Sequence, residues 1–125
     1  MLVDSNIIIY AAQPEYKRLR RFIAEQITHV SAVTYVEVLG YHRLTATQRT
    51  TYQGLFQSLY VLPISSDIVD QAIILRQQRK LGLGDALIAA TALVHKLAVV
   101  TRNVSDFRWI EGISVLDPFD ALGLE

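Results

Sequence analysis

The stretch "DALIAATALVHKLAVVT", residues 85–101, decides the architecture. Its first part, residues 85–96, is an almost wholly apolar helical pattern broken only by His95 and Lys96. A helix without a polar face is a buried one. Its second part, "LAVVT" (97–101), is a strand with no polar alternation, as expected in the middle of a parallel sheet covered on both faces. Working outward from this pair, the chain alternates short strands and helices. "LVD" (2–4) is an apolar strand and "SNIIIYAA" (5–12) the helical turns after it. "PEYKRLRRFIAEQI" (14–27) has Pro14 where a first helical residue belongs, and Tyr16, Leu19, Phe22, Ile23 and Ile27 recur at helical spacing.

"THVSA" (28–32) is a second strand and "AVTYVEVLGYHRL" (32–44) a helix. Another helix starts at the capping-box pair Thr45 and Gln48. "YVLPI" (60–64) is a third strand. "SSDIVDQAIILRQQRK" (65–80) is a helix capped by Ser66, with Asp67 in its first turn. "LGLG" (81–84) separates it from the helix opened by Asp85, and "ISVLD" (113–117) is a fifth strand, ended by Pro118. Strands separated by helices give a parallel α/β sheet with right-handed crossovers. Such sheets bind ligands beyond the carboxyl ends of their strands, where the strand order reverses.

The totals fit this reading. The chain has 125 residues, 51% of them hydrophobic, and a mean hydropathy of +0.27, the composition of one packed domain and not of a disordered chain. No apolar run approaches the roughly 18 residues of a membrane span, and the N-terminus lacks the pattern of a signal peptide. There is no cysteine, which excludes disulfides and thiolate metal sites and fits a cytoplasmic location. Twelve basic residues balance twelve acidic ones. A formal charge of zero is unlike the usual basic nucleic-acid binder.

Four acids stand in apolar company: Asp4 after "LV", Glu37 inside "YVEVLG", Asp85 before "ALIAATAL" and Asp106 in "TRNVSDF". Burying a lone carboxylate costs several kcal/mol, so each needs a reason. Each has a structural one. Asp4 can end its strand, Asp85 can cap its helix, and Asp106 can cap a turn after Asn103. Glu37 can pair with Thr34 in a capping box, unless the helix starts earlier, after Ser31, which leaves Glu37 in mid-helix. Their places in the chain offer a shared reason. Asp4 ends the first strand, Asp106 follows the fourth, Glu37 lies about two turns after the second, and Asp85 starts the helix leading into the fourth. Facing one cleft, four carboxylates would repel and raise one another's pKa, and a divalent cation would relieve them. Oxygen donors without His or Cys suit Mg²⁺ or Mn²⁺.

In this order "LVDSN", "SAVTYVEV", "LGLGDALIAATAL" and "VVTRNVSDF" resemble the PIN-domain ribonucleases, above all the small VapC-like toxins of toxin–antitoxin pairs. The resemblance runs from Leu2 to about Pro118. It implies a three-layer α/β/α fold with a five-stranded parallel sheet in the order 3-2-1-4-5. It also implies a metal-dependent endoribonuclease that hydrolyses RNA with a metal-activated water. Asp4, Glu37, Asp85 and Asp106 take the roles of catalytic acids and metal ligands. Ser5 stands where the family more often has threonine, Thr101 resembles a hydroxyl position near the phosphate, and Asn103 replaces a further acid of some relatives. The resemblance further implies a homodimer and a small inhibitory antitoxin that enters the acidic cleft.

With four acids so committed, twelve basic residues face the remaining eight acids. Arg79 and Lys80, before "LGLGD", and Arg102 and Arg108, flanking Asp106, are the candidate phosphate contacts. Lys17, Arg18, Arg20 and Arg21 read as a solvated helix face. His29, His42 and His95 form no constellation for histidine chemistry. Tyr35, Tyr41, Tyr52 and Trp109 are expected mainly in core packing. Receiver domains share the small α/β frame and an acidic site, but "DSN", "PISS" and "DPFDAL" lack their acid pair, phosphoacceptor and lysine. "GLG" (82–84) is no nucleotide-binding loop. A housekeeping RNA-processing enzyme, or a PIN-like binding module that no longer cuts, are the alternatives.

Overall fold

A computed structural model describes residues 1–124. Five strands, β1 (Leu2–Val3), β2 (His29–Ser31), β3 (Tyr60–Leu62), β4 (Val99–Val100) and β5 (Val115–Leu116), form one sheet in the order β3-β2-β1-β4-β5. Every pairing is parallel, as expected. The helices are α1 (Ser5–Ala11), α2 (Lys17–Gln26), α3 (Ala32–Leu39), α4 (Ala46–Phe56), α5 (Ser66–Gln78), α6 (Leu83–His95), α7 (Val104–Phe107) and α8 (Pro118–Leu122). None is long and apolar enough to cross a membrane among the described residues.

The register makes two cores from one sheet. Leu2 pairs with Val99, and Val3 with Val30 and Val100. Successive strand residues point to opposite faces. Val3, Val30 and Val100 therefore pack with Ile7, Ile8, Leu19, Ile23, Phe56 and Phe119 on one side. Leu2 and Val99 pack with Ile68, Leu75, Ile88 and Phe107 on the other. The second core is rich in alanine: Ala86, Ala89, Ala90 and Ala92 of α6 are buried. As the all-apolar pattern requires, α6 is enclosed between α5 and the sheet.

Several helix starts differ from the sequence reading. Pro14 does not open α2; a Tyr16 N–H to Gln13 carbonyl turn precedes it, and the helix begins at Lys17. Arg20 spans that turn, its Nη1 donating to the carbonyls of Ala11 and Gln13 at 2.7 Å each. Helix α5 is capped by Ser65, whose Oγ accepts from Ile68 N, and not by Ser66. Helix α6 begins at Leu83 after an extended Gly82, so Asp85 lies in the first turn and is not the cap. The Thr45–Gln48 capping box is present in both directions. The short helices α7 and α8 were not expected, and Pro118, which ends β5, also opens α8.

A candidate acidic site at the carboxyl edge of the sheet

Strand β1 delivers Asp4 to the carboxyl edge, where its backbone N–H still bonds Val100 O at 2.9 Å. Its extended backbone lets the side chain cap α1: Oδ1 accepts from Ser5 N at 2.7 Å. Oδ2 accepts from the Thr101 hydroxyl at 2.8 Å. Thr101, fully buried after β4, in turn accepts from Asn103 N at 3.0 Å. Asp4 is thus both strand punctuation and a candidate ligand. It is 4% exposed, and its pKa is pushed up to about 6. Burial is the largest cause, opposed by the Thr101 and Ser5 hydrogen bonds and reinforced by the charges of Asp85 and Glu37.

Helix α3 starts after Ser31, whose Oγ accepts from Val33 N, so Glu37 is not the partner of a Thr34 cap. Thr34 is instead fully buried, its hydroxyl 3.1 Å from Ser5 Oγ. Ser5 Oγ donates to Glu37 Oε1 at 2.9 Å. The other Glu37 oxygen lies against α6, where a Cβ on Gly84 would come within 2.9 Å of Oε2. Glu37 is therefore held between the first helical residue after β1 and the first turn of α6. Asp85, one residue beyond Gly84, is half-buried; its pKa is raised by burial first, then by Asp106 and Glu37. Its place at the N-terminal end of α6 favours a negative charge there.

The four acids are linked electrostatically: Asp85 and Glu37 act on Asp4, and Asp106 and Glu37 act on Asp85. As the side chains stand, no three acidic or His groups among the described residues converge closely enough to hold one ion. The donor chemistry nonetheless suits a hard divalent cation: all donors are oxygens, and burial and neighbouring charge disfavour the ionised forms of Asp4 and Asp85 without one. The Oδ1 of Asn6, two residues after Asp4, is buried without a hydrogen-bond partner.

Two cavities flank the acids. One of about 200 Å³ is lined by Asp85, Asp106, Arg79, Lys80, Ser105 and Trp109. Trp109 Nε1 donates to Asp106 O at 2.8 Å, and the Arg79 guanidinium sits 5.2 Å from the Trp109 ring. The other, about 310 Å³, borders Glu37 and is walled by Ile9, Val38, Tyr41, Leu44 and Tyr52.

Arg102 and Arg108 line neither cavity. Arg102 lies over Phe119, 4.0 Å from the ring centroid, and 5.1 Å from Tyr10. Arg108 borders a third hollow with Asp117 and Asp120. Sequence reasoning missed Gly84 and Thr34 as supports of the site. The T-x-x-E spacing flagged Thr34 and Glu37 together, but as a cap.

The family model described as PIN domain matches residues 1–112. Ribonuclease VapC1 of Rickettsia felis is 46% identical over 41 residues, 33% of this chain and 31% of that protein. The VapC ribonuclease Y4jK of Sinorhizobium fredii is 28% identical over 96% of this chain and 98% of its own length. Among solved structures, a chain of a toxin–antitoxin complex from Klebsiella pneumoniae is 33% identical, with a TM-score of 0.69 over 94% of this chain and 96% of that one.

Proposed function

The chain belongs to the PIN-domain family, and on that premise we propose that it is a divalent-metal-dependent endoribonuclease, the toxin of a toxin–antitoxin pair acting in the cytoplasm. The observation that carries this reading is the crowding at the sheet edge. Asp4 is buried at the end of the central strand, with Glu37 and Asp85 both opposing its ionisation. A fold maintains such a repulsive arrangement where it serves a site. Two curated relatives are named ribonucleases, which supports the substrate class.

Asp4, Glu37, Asp85 and Asp106 would hold Mg²⁺ or Mn²⁺. Bound there, the ion supplies a Lewis acid and an acidified water for in-line hydrolysis of a phosphodiester. The chain's own residues do the rest. Thr101 fixes one Asp4 oxygen and Ser5 N the other, so this carboxylate has a set direction before any ligand arrives. Ser5 Oγ orients Glu37. Asn103 supports Thr101 through its backbone N–H, which donates to the Thr101 hydroxyl. Arg79 and Lys80 line the cavity of Asp85 and Asp106 and would bind the RNA backbone next to the scissile phosphate. The apolar cavity beside Glu37 suits a segment of an antitoxin, a partner supported by the similarity to a toxin–antitoxin complex. Exposed Val69, Ile73 and Ile74 on α5 and Val61 on β3 suit a second copy of the chain in a homodimer.

The test is RNA cleavage with and without Mn²⁺, by the wild type and by Asp4→Asn and Asp85→Asn. Metal-dependent cutting lost in both variants is expected. Cutting that survives both substitutions would sink the site. A wild type that cuts no RNA with either metal would sink the activity.

A further inference from the structure

Arg102 stands in the link between β4 and α7, with Thr101 before it and Asn103 after it. This link carries both the hydroxyl that fixes Asp4 and the start of the helix that holds Asp106. Thr101 is buried against Asp4, whereas Arg102 is exposed and reaches the rings of Phe119 and Tyr10, at 4.0 and 5.1 Å. Those rings belong to an edge-to-face cluster. Tyr10 to Phe119 is 5.2 Å, Tyr16 to Phe119 5.4 Å and Tyr10 to Tyr16 5.9 Å. Phe119 is itself anchored: its N–H donates to Asp117 Oδ1 at 2.9 Å, its carbonyl accepts from Leu124 N at 2.8 Å, and its side chain is 2% exposed. It lies on α8, beyond the residues matched by the family model.

The geometry points to Arg102 as a positioning residue, clamped on the α1–α8 aromatic cluster so that the β4–α7 link holds Thr101 against Asp4 and Asp106 at the cleft. A guanidinium over an aromatic face is attracted by the ring's negative face, so the contact resists withdrawal of the link. At its start the link is fastened by Thr101, whose N–H donates to Leu116 O at 3.0 Å, and at its end by the buried Phe107. Between them, the Asn103 N–H to Thr101 bond and the Asp106 N–H to Asn103 bond are internal to the link and its helix. The inference makes α8 part of the active-site scaffold, and it replaces the phosphate-contact role that sequence adjacency gave Arg102. Its catalytic consequence rests on the endoribonuclease reading; its structural content does not.

Two measurements separate these. Amide hydrogen exchange on the wild type, Arg102→Ala, Arg102→Lys and Phe119→Leu reads the clamp without any activity. Exchange at Asn103 is expected to rise several-fold in Arg102→Ala and Phe119→Leu, and to be largely restored in Arg102→Lys, which keeps a cation for the ring. Steady-state cleavage reads the consequence. Displacing a catalytic group by a fraction of an ångström to 1 Å costs up to about 100-fold in rate. A fall in kcat of about tenfold is expected in Arg102→Ala, with KM and the salt dependence of KM unchanged. The double variant with Phe119→Leu should be no worse than either single one, because both break one contact. Unchanged exchange at Asn103 in Arg102→Ala overturns the clamp. A raised KM with a shallower salt slope and unchanged kcat returns Arg102 to the role of a phosphate contact. A wild type without ribonuclease activity defeats the proposed function, while the exchange data still decide the clamp.

Discussion

Asp4 and Asp106 lie just beyond neighbouring strands, and their settings are opposite. Asp4 is 4% exposed, and both its oxygens accept hydrogen bonds. Asp106 is exposed on a four-residue helix and lines an open cavity with Arg79 and Lys80. Glu37 and Asp85 fall between these extremes. Glu37 is exposed yet tethered to Ser5, and Asp85 is half-buried on α6. The inner half is fixed by the folding of the central strands, and its carboxylate is held where burial opposes its charge. The outer half stays in water, where charges are inexpensive and ligands arrive. A site assembled this way would hold its electrostatic tension in its inner half and, on the proposed function, would take up its substrate through its outer half.

The largest expected effect comes from breaking the inner half at Asp4. Its folded pKa of about 6 exceeds the ordinary 3.8, so between these values the folded state holds a proton that the unfolded state has released. Metal-free stability should therefore fall as pH rises from about 4 to about 6, and stay lowered above that. A shift of about 2 units corresponds to on the order of 2–3 kcal/mol. Asp4→Asn removes this cost: the amide oxygen can still accept from Ser5 N, while the NH₂ can meet Thr101 Oγ only by reversing the bond, which costs the Thr101 hydroxyl its acceptor. Without metal, the variant should be more stable than the wild type at pH 7 by up to that amount, with the gap closing towards pH 4. Thermal unfolding across pH 4–8 reads this, beside a loss of cleavage of at least ~10³-fold, the scale of losing a group that acts in the transition state. Adding Mn²⁺ should raise the melting temperature of the wild type alone. A variant less stable than the wild type at pH 7 would mean that Asp4 serves the fold more than the site.

A smaller effect is expected where the halves meet. Gly84 leaves room for Glu37, and a Cβ there would press on Oε2 from 2.9 Å. The pressed atom is the far end of a flexible, exposed side chain, so Glu37 should yield before α6 does. Gly84→Ala also gains helix propensity, up to about 1 kcal/mol. The expected outcome is a divergence: stability to urea equal or higher, cleavage down about tenfold as Glu37 leaves Ser5. A loss of stability would show that Glu37 is braced as rigidly as Asp4, and the contrast between the halves would weaken.

The inner half was also the more legible in the sequence. An aspartate after two apolar strand residues has few reasons to be there, and an all-apolar helix followed by an apolar strand can only be the middle of a layered sheet. That frame allows β1 and β4 to be neighbours, and the strand order found is the one the family resemblance implies. What failed was local. "LGLGD" contains two glycines and an aspartate, any of which can precede a helix, and the cap is Gly82 and not Asp85. "VTYVE" satisfies a capping-box pattern, which left the helix start open between Thr34 and Ser31; the start is at Ser31, which ends β2 with an extended backbone. Helices of four or five residues such as α7 and α8 carry too few positions for a periodicity to register. Adjacency along a chain is also not adjacency in space: Thr101 is buried against Asp4 while Arg102 reaches outward to Phe119.

The smallest effects are expected from the outer half, at Arg79 and Lys80. Both are exposed and border the cavity of Asp85 and Asp106. Removing an exposed charge should scarcely alter stability, and the Arg79–Trp109 contact, at 5.2 Å, is worth about 0.5 kcal/mol at an exposed site. Their contribution should show in salt dependence. Each lost phosphate contact on a single strand flattens the slope of log affinity against log salt by about 0.7. Lys80→Ala is expected to raise KM a few-fold and flatten the slope by that amount, with kcat unchanged. Arg79→Ala should do less, because part of its guanidinium is engaged by Trp109. The ordering matters more than the size. Lys80 above Arg79, with Arg102 leaving the slope untouched, would place the RNA path along the α5–α6 side of the acids. A flat response at Lys80 would move that path elsewhere and leave the outer half as a mouth without a grip.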